Sequence, residues 1–384
     1  MKVLISVKGR FHAFDLAKQL DKHNVLFKLN TTYPKKIVKK WGIASAKIKS
    51  NIVLEFLNRF FRKILSNGRM KIINNYVNKK QAKSNIKFLK EVDVYIGWSG
   101  SSLETLIEAK KLGVTTILER GSSHYNYQMK VLHDEAKITN TDFVQDYRQW
   151  QRELLEYQLA DYISVPSLFV ERSFIENGIH PKKILRNPYG VDLSSFRQIE
   201  KSDDVFRVIF VGGFSFRKGA HYLLQAFSEL NLDNSELLHI GGVNPEMKSY
   251  IAKYKRENIK YLGIKPQNEL YKYYSQGSVF VILSIEEGLA MVQPQAMACG
   301  LPLICSTNTG GEDLLSANGE EGYVLPIRDV EAVKEKLLLL YNDKNSLQDM
   351  SNKAKQRVEK GFSWDDYGLR YLNNLKSIIA DKSD

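Results

Sequence analysis

The chain has 384 residues, 43% of them hydrophobic and 26% charged, which is too long for one typical core and excludes disorder as the default reading. Two cysteines exclude a disulfide framework or a cysteine-based zinc cage, and no run approaches the roughly 18 uninterrupted apolar residues of a membrane-spanning helix. The net charge of +13 is concentrated, because Lys35 to Lys90 holds 16 Lys and Arg against one acid, Glu55.

In chain order, Met1–Val7 reads as a first strand rather than a signal peptide, since no small-residue cleavage site follows it. A helix is predicted over Phe11–His23, with Phe11, Phe14, Ala17 and Leu20 near helical spacing. Strands are predicted at Val25–Leu29, Val92–Trp98, Val114–Leu118 and Tyr162–Val165, with a helix from Ser102 to Leu112. This alternation predicts a parallel sheet covered by helices. The polar run Arg197–Asp204 reads as a linker, after which the pattern restarts. Phe206–Gly213 is a strand, and Ala220, Leu223, Leu224, Phe227 and Leu230 share one helical face. Further strands are predicted at Leu237–Gly241, Lys260–Leu262, Val279–Leu283, Leu303–Cys305 and Tyr323–Pro326. Cys299 and Cys305 fall at a helix end and in a buried strand, as reduced core thiols of a cytosolic protein would. The expected division is an acceptor-side domain over 1–195 with a basic insert at 35–90, a second domain over 196–362, and a terminal helix in 363–384 that packs on either domain.

Open α/β sheets bind ligands beyond the carboxyl ends of their strands. Two such loops carry chemistry. The first runs from Val211 through Gly212, Gly213, Arg217 and Lys218 to Gly219. Its glycines admit a backbone close to a ligand, and its cations precede a helix N-terminus, where a diphosphate would fit; the plain alternative is a solvated basic turn. The second begins at Ser284 and carries Glu286, Glu287 and Gly288 before a helical run. A carboxylate at Glu287 beside amides of Gly288, Leu289 and Ala290 suits a ligand with hydroxyls and phosphate; the alternative is a helix-capping Glu287.

The segment E-G-L-A-M-V-Q-P-Q-A-M-A-C-G-L-P-L from Glu287 to Leu303 resembles the signature of retaining glycosyltransferases of family 4, which have two facing Rossmann-like domains, the GT-B fold. Ser306–Leu315, Phe210–Phe227, Asn187–Asp192, Leu238–Gly242 and Tyr261–Gly263 resemble further blocks of that family, in the same order. The likeness covers about 155–375 and fades in the first 150 residues. It implies a retaining hexosyltransferase-type enzyme that takes a sugar from a UDP- or GDP-linked donor, with no metal and no further cofactor. Glu287 would contact the transferred sugar, amides from Gly288 to Met291 the sugar and distal phosphate, and Lys218 the diphosphate. The loop at Gly263–Lys265 would border the nucleobase, Gly9 and Arg10 would form the acceptor-side loop, and His124 would face the reacting sugar. Two positions depart from the family pattern: Gln295 stands where a ribose-binding glutamate is usual, and Gly213 where an arginine is usual, with Arg217 as a replacement charge. Asp203-Asp204 and Asp365-Asp366 read as solvated or capping acids rather than a metal motif.

Within 35–90, Phe56, Leu57, Phe60, Phe61, Ile64 and Leu65 alternate with Arg59, Arg62 and Lys63. That is a basic amphipathic helix suited to an anionic membrane surface and a lipid-linked acceptor; the alternative is an apolar face packed in the first-domain core. No nucleic-acid motif accompanies the charge. The expectation is a cytoplasmic enzyme of polysaccharide or lipopolysaccharide synthesis at the inner face of the membrane. The competing reading is a sugar-nucleotide-binding protein without transfer activity.

Overall fold

The computed structural model describes residues 1–65 and 67–382; the side chains of Lys63 and Asn67 lie outside that description. The chain forms two parallel sheets. In the first, β1 (Val3–Val7), β2 (Leu26–Thr31), β3 (Ile48–Ser50), β4 (Val94–Trp98), β5 (Thr115–Glu119), β6 (Tyr162–Val165) and β7 (Ile184–Arg186) lie in the order β3-β2-β1-β4-β5-β6-β7. In the second, β8 (Phe206–Val211), β9 (Ser235–Ile240), β10 (Ile259–Tyr261), β11 (Val279–Ile282), β12 (Leu303–Ser306) and β13 (Gly322–Leu325) lie in the order β10-β9-β8-β11-β12-β13. Each order reverses once, between β1 and β4 and between β8 and β11. These are the points where a crevice opens above the strand ends.

Parallel strands are buried on both faces and read as continuous apolar runs. In β1 all five residues are buried. Val3, Ile5 and Val7 join one apolar cluster and Leu4 another, as the two-residue period of a strand requires. The first cluster is continuous with the core of the second domain through Tyr189, Val191, Phe196 and Tyr367.

Most predicted elements are present within two residues. The differences have physical causes. β3 and β7 were not predicted; each has three residues with Lys or Arg among them, whereas the equally short β10 was predicted one residue late. The first helix begins at Ala13 rather than Phe11, because Phe11 has a left-handed backbone with φ of 42°. The helix after Gly288 begins only at Val292. Residues 197–204 form no regular element and are tied to the second domain by Ile199 N–H to Ser275 Oγ and Ser202 N–H to Gln276 Oε1. Cys299 and Cys305 are buried and free.

The terminal helix Trp364–Asp381 crosses back onto the first domain. It packs along the helix Ala13–Lys22, and Gln19 and Lys22 bind Asp365. Tyr371 Oη donates to Glu119 Oε1 at 2.6 Å. Asp366 closes a capping box with Ser363, which satisfies two helix-terminal amides reciprocally. Ser363→Ala is expected to lower the unfolding free energy by about 1 kcal/mol, read as a lower urea midpoint at unchanged slope.

Candidate active site

The β8–β11 crevice is built by two loops that touch. Gly219, at φ of 64°, sits so close to the β11 end that an added Cβ would lie 1.9 Å from Leu283 O. Only glycine permits that approach. It brings the end of the 212–219 loop beside Glu287. Arg217 Nη1 donates to Glu286 O at 2.8 Å and to Glu287 Oε2 at 3.1 Å, and Lys218 Nζ pairs with the same carboxylate oxygen. Burial pushes the Glu287 carboxyl up, but Lys218 and Arg217 outweigh it and hold it below the usual carboxylate range. At Gly213, where the family pattern has arginine, a side chain would enter open space, so no steric constraint excludes one.

Glu286 points the other way. Its carboxylate is fully buried and reaches the first domain. Oε1 accepts from the Ser123 N–H at 3.0 Å and Oγ at 2.8 Å, and Oε2 accepts from Gln128 Nε2 at 2.9 Å. Arg120 prepares that surface by pairing with Glu153 and donating to Ser123 O and Gln128 Oε1. Beside it the backbones meet: a Cβ on Gly288 would lie 1.9 Å from Gly121 O. Gly288 O also accepts from Ser167 Oγ of the first domain at 2.7 Å. Gly288 therefore sits in a domain contact.

Of the expected amide donors, Gly288 and Leu289 have no hydrogen-bond partner among the described residues, whereas Ala290 N–H is spent on Thr309 O at 3.2 Å. Met291 and Gln295 line a cleft of about 660 Å³ between the domains, with Arg10 on the opposite wall. Gln295 is 6% exposed. Gly263 turns the chain at φ of 68° beside Ile264, which is 83% exposed. Gly212 and Gly213 line the turn after β8.

Among the described residues His124 makes no hydrogen bond to Glu287. Its ring is 3% exposed and caps the helix Tyr125–Ile138 by accepting from Asn126 N–H at 3.3 Å. It packs 5.1 Å from both Tyr157 and Phe174. Burial, helped by Arg120, lowers its pKa to about 4, so it stays neutral. A second buried histidine, His12, is bound to Glu119 Oε2 at 3.0 Å and packs at a tilt 4.3 Å from the Tyr189 ring. Burial and the charges of Glu119 and Glu287 raise Tyr189 well above its usual pKa. Nothing in the spacing of the sequence marks His12, Glu119, Tyr189 or Glu286 for these positions.

The two-sheet arrangement is the GT-B fold of glycosyltransferases. It aligns with sucrose-phosphate synthase from Thermosynechococcus elongatus at TM-score 0.72 and 17% identity, over 99% of both chains. It aligns with Anabaena Alr3699/HepE, solved in complex with UDP, at TM-score 0.72 and 13% identity, over 98% of this chain and all of that one. In sequence, residues 192–357 match the family profile of glycosyl transferases group 1, which spans β8 to β13 and both site loops. The capsular polysaccharide biosynthesis glycosyltransferase CapM of Staphylococcus aureus is 30% identical over 182 residues, 45% of this chain and 48% of CapM. The chain spans about half the length of the curated relatives it matches.

The buried His124 has a consequence for stability. Its usual pKa of 6.5 applies when unfolded and about 4 when folded. Below pH 6.5 the unfolded chain takes up the proton first, so stability is full above 6.5 and declines as the pH falls toward 4. The urea midpoint of His124→Asn, which keeps a capping acceptor, is expected to vary less with pH across this window than that of the wild type.

Proposed function

We propose that the protein transfers a sugar from a nucleoside-diphosphate sugar to a glycan or lipid-linked acceptor, with net retention of configuration, as the resemblance to family 4 implies. The observation that carries this reading is Glu287 held between Arg217 and Lys218 at the β8–β11 reversal. A diphosphate entering there meets two cations already gathered around a carboxylate. Exchange of partners then follows: the phosphates take Lys218 and Arg217, and Glu287 turns to the sugar hydroxyls. As the bond to the anomeric carbon breaks, charge accumulates on the leaving diphosphate, and these cations with the amides of Gly288 and Leu289 stabilise it. Side-chain cations stand in for a metal, and no cofactor beyond the UDP- or GDP-linked donor is invoked. The nucleoside lies along the cleft wall with Gln295, and its base at the Gly263–Ile264 turn. Retention is assigned to attack on the departing face, with the leaving phosphate accepting the proton of the acceptor hydroxyl. No pair of carboxylates of the glycosidase kind is needed.

The placement at a membrane rests on the helix Ile52–Ile64. Phe56, Phe60 and Ile64 are exposed, as are Ile52 and Val53, and the rings of Phe56 and Phe60 stack 5.9 Å apart. The apolar face is thus outside the core. With the surrounding cations it favours an anionic lipid surface, and a cytoplasmic enzyme at the inner membrane face fits this. No helix among the described residues is long and apolar enough to cross a membrane.

Lys218→Ala and Glu287→Ala are each expected to lower kcat/KM at least ~100-fold, the scale of losing one group that stabilises developing charge, with an unchanged urea midpoint slope. Donor turnover by either variant at the wild-type rate overturns the site. Vesicles with 30 mol% anionic lipid are expected to sediment the protein at low salt and to release it at high salt. Phe56→Ser/Phe60→Ser should lose this binding; equal sedimentation of wild type and variant removes the membrane reading.

A further inference from the structure

A second buried carboxylate crosses the domain boundary. Glu135 stands in the last turn of the first-domain helix Tyr125–Ile138 and is 2% exposed. Among the described residues, every hydrogen-bond or ion-pair partner of its carboxylate lies in the second domain. Tyr222 Oη donates to Oε1 at 2.9 Å, Arg328 Nε donates to Oε2 at 2.7 Å, and His221 Nε2 lies 2.8 Å from Oε1. His221 and Tyr222 are themselves buried. Arg328 Nη2 reaches one turn back along the same first-domain helix, to Val131 O at 3.2 Å.

Burial pushes the Glu135 carboxyl up, but His221, Arg328 and Tyr222 outweigh it and hold it below the usual carboxylate range. Burial and Glu135 together raise the Tyr222 phenol, so the two meet as an ionised acceptor and a neutral donor. Arg328 has a left-handed backbone, with φ of 69°, which is uncommon for a residue with a side chain. Such a conformation persists where its surroundings over-determine it. Here the side chain is tied to two first-domain groups.

The cluster grips the head of the helix Ala220–Leu230. His221 and Tyr222 are its second and third residues, and Arg217 and Lys218 stand directly before its N-cap, Gly219. From within the second domain the same turn is held by Ile285 N–H, which donates to Arg217 O at 2.9 Å. The first domain supplies the other grip, and does so with one stripe of one helix. Gln128, Val131 and Glu135 stand at i, i+3 and i+7 of Tyr125–Ile138, which is a single helical face. Gln128 binds Glu286, the neighbour of Glu287, and Glu135 binds the first helical turn after Lys218. One helix therefore braces both halves of the cluster of cations and carboxylate.

We propose that Glu135 is a positioning residue for the diphosphate of the donor. Held to Tyr222, His221 and Arg328, it sets from the first domain where Lys218 and Arg217 stand relative to the Glu287 loop, which the same helix braces through Gln128. This role rests on the reading of Lys218 and Arg217 as phosphate ligands. Glu135 touches no substrate; it acts through the helix head. A buried carboxylate that loses its charge or a partner leaves the remaining groups uncompensated, and the helix head is then free to shift.

The test uses the full chain. Isothermal titration with UDP and GDP gives the diphosphate affinity, and saturation-transfer NMR with uridine and guanosine gives that of the nucleoside. The nucleoside alone meets Gln295 and the Gly263 turn and not the cations. Glu135→Gln is expected to weaken diphosphate binding about tenfold, within the usual range of coupling between sites, and to leave nucleoside binding within about twofold. Tyr222→Phe keeps the ring and removes one donor. It should weaken diphosphate binding about threefold, the scale of one hydrogen bond, and it decides the matter if Glu135→Gln does not fold. Arg172→Gln severs another cross-domain pair, the exposed one with Glu312, and is expected to change neither affinity. Wild-type diphosphate affinity in Glu135→Gln and Tyr222→Phe, equal loss of diphosphate and nucleoside, or the same loss in Arg172→Gln would each overturn the proposal. A wild type that binds neither nucleotide removes the donor reading and this role with it. A wild type that binds, with variants that bind as tightly, removes this role alone.

Discussion

The two domains are held at the site by a buried carboxylate. Glu286 has no exposure and accepts three hydrogen bonds from Ser123 and Gln128 of the other domain. A buried charge is tolerated only when its lone pairs are satisfied, so this contact fixes the 120–128 segment against the 284–288 loop. The next residue holds the cation cluster. The chain bends at Ile285 and Glu286, and Glu287 turns to Arg217 and Lys218 while Glu286 takes its hydrogen bonds from the first domain and keeps Arg217 at 3.9 Å. One short loop thus sets the domain contact and the anion-binding cluster together, and displacement of either carboxylate would disturb the other.

Topology explains why the chemistry collects there. In both sheets the order reverses at the first strand of the domain, between β1 and β4 and between β8 and β11. Each reversal leaves two loops diverging above the strand ends. In the second domain the loops carry Arg217, Lys218 and Glu287; in the first they carry Lys8, Arg10 and the exposed Phe11. The terminal helix then spans both, with Tyr371 on Glu119 and Trp364 and Asp365 on the cleft wall. That crossing makes the first domain's core part of the second's, so the relative placement of the two loop sets does not depend on the linker alone.

Much of this was legible in the sequence, and the reasons differ by element. The strands of the second domain announce themselves because buried parallel strands are apolar runs of four to six residues. Lys218, Arg217 and Glu287 were found as a basic turn and an acid-glycine step at strand ends, and the fold brings them into contact. Glu287 is marked in the sequence by the glycine that follows it, whereas the role of Glu286 is assigned only by its partners across the interface. His124 misleads for a related reason. A histidine before a helix can face a ligand or cap the helix, and Tyr157 and Phe174, distant in sequence, decide for the cap.

The two departures from the family pattern bear on the same electrostatic quantity. Glycine at 213 removes a positive charge, and glutamine at 295 removes a negative one. With Arg217 as the replacement charge, the cations of the pattern are kept and one carboxylate is lost, so the cluster is one unit less negative than in the pattern. Positive charge is drawn together at Arg217 and Lys218, beside Glu287. The ribose end is left neutral, with Gln295 able both to donate and to accept. Coulomb attraction falls with distance and with solvent screening, so under the proposed reading two cations gathered at one partly buried carboxylate would hold a diphosphate more locally than charges spread along the cleft. Recognition of the phosphates would then be concentrated at Lys218 and Arg217, and discrimination among nucleosides would fall to hydrogen bonding at Gln295 and to the apolar Ile264 turn rather than to charge.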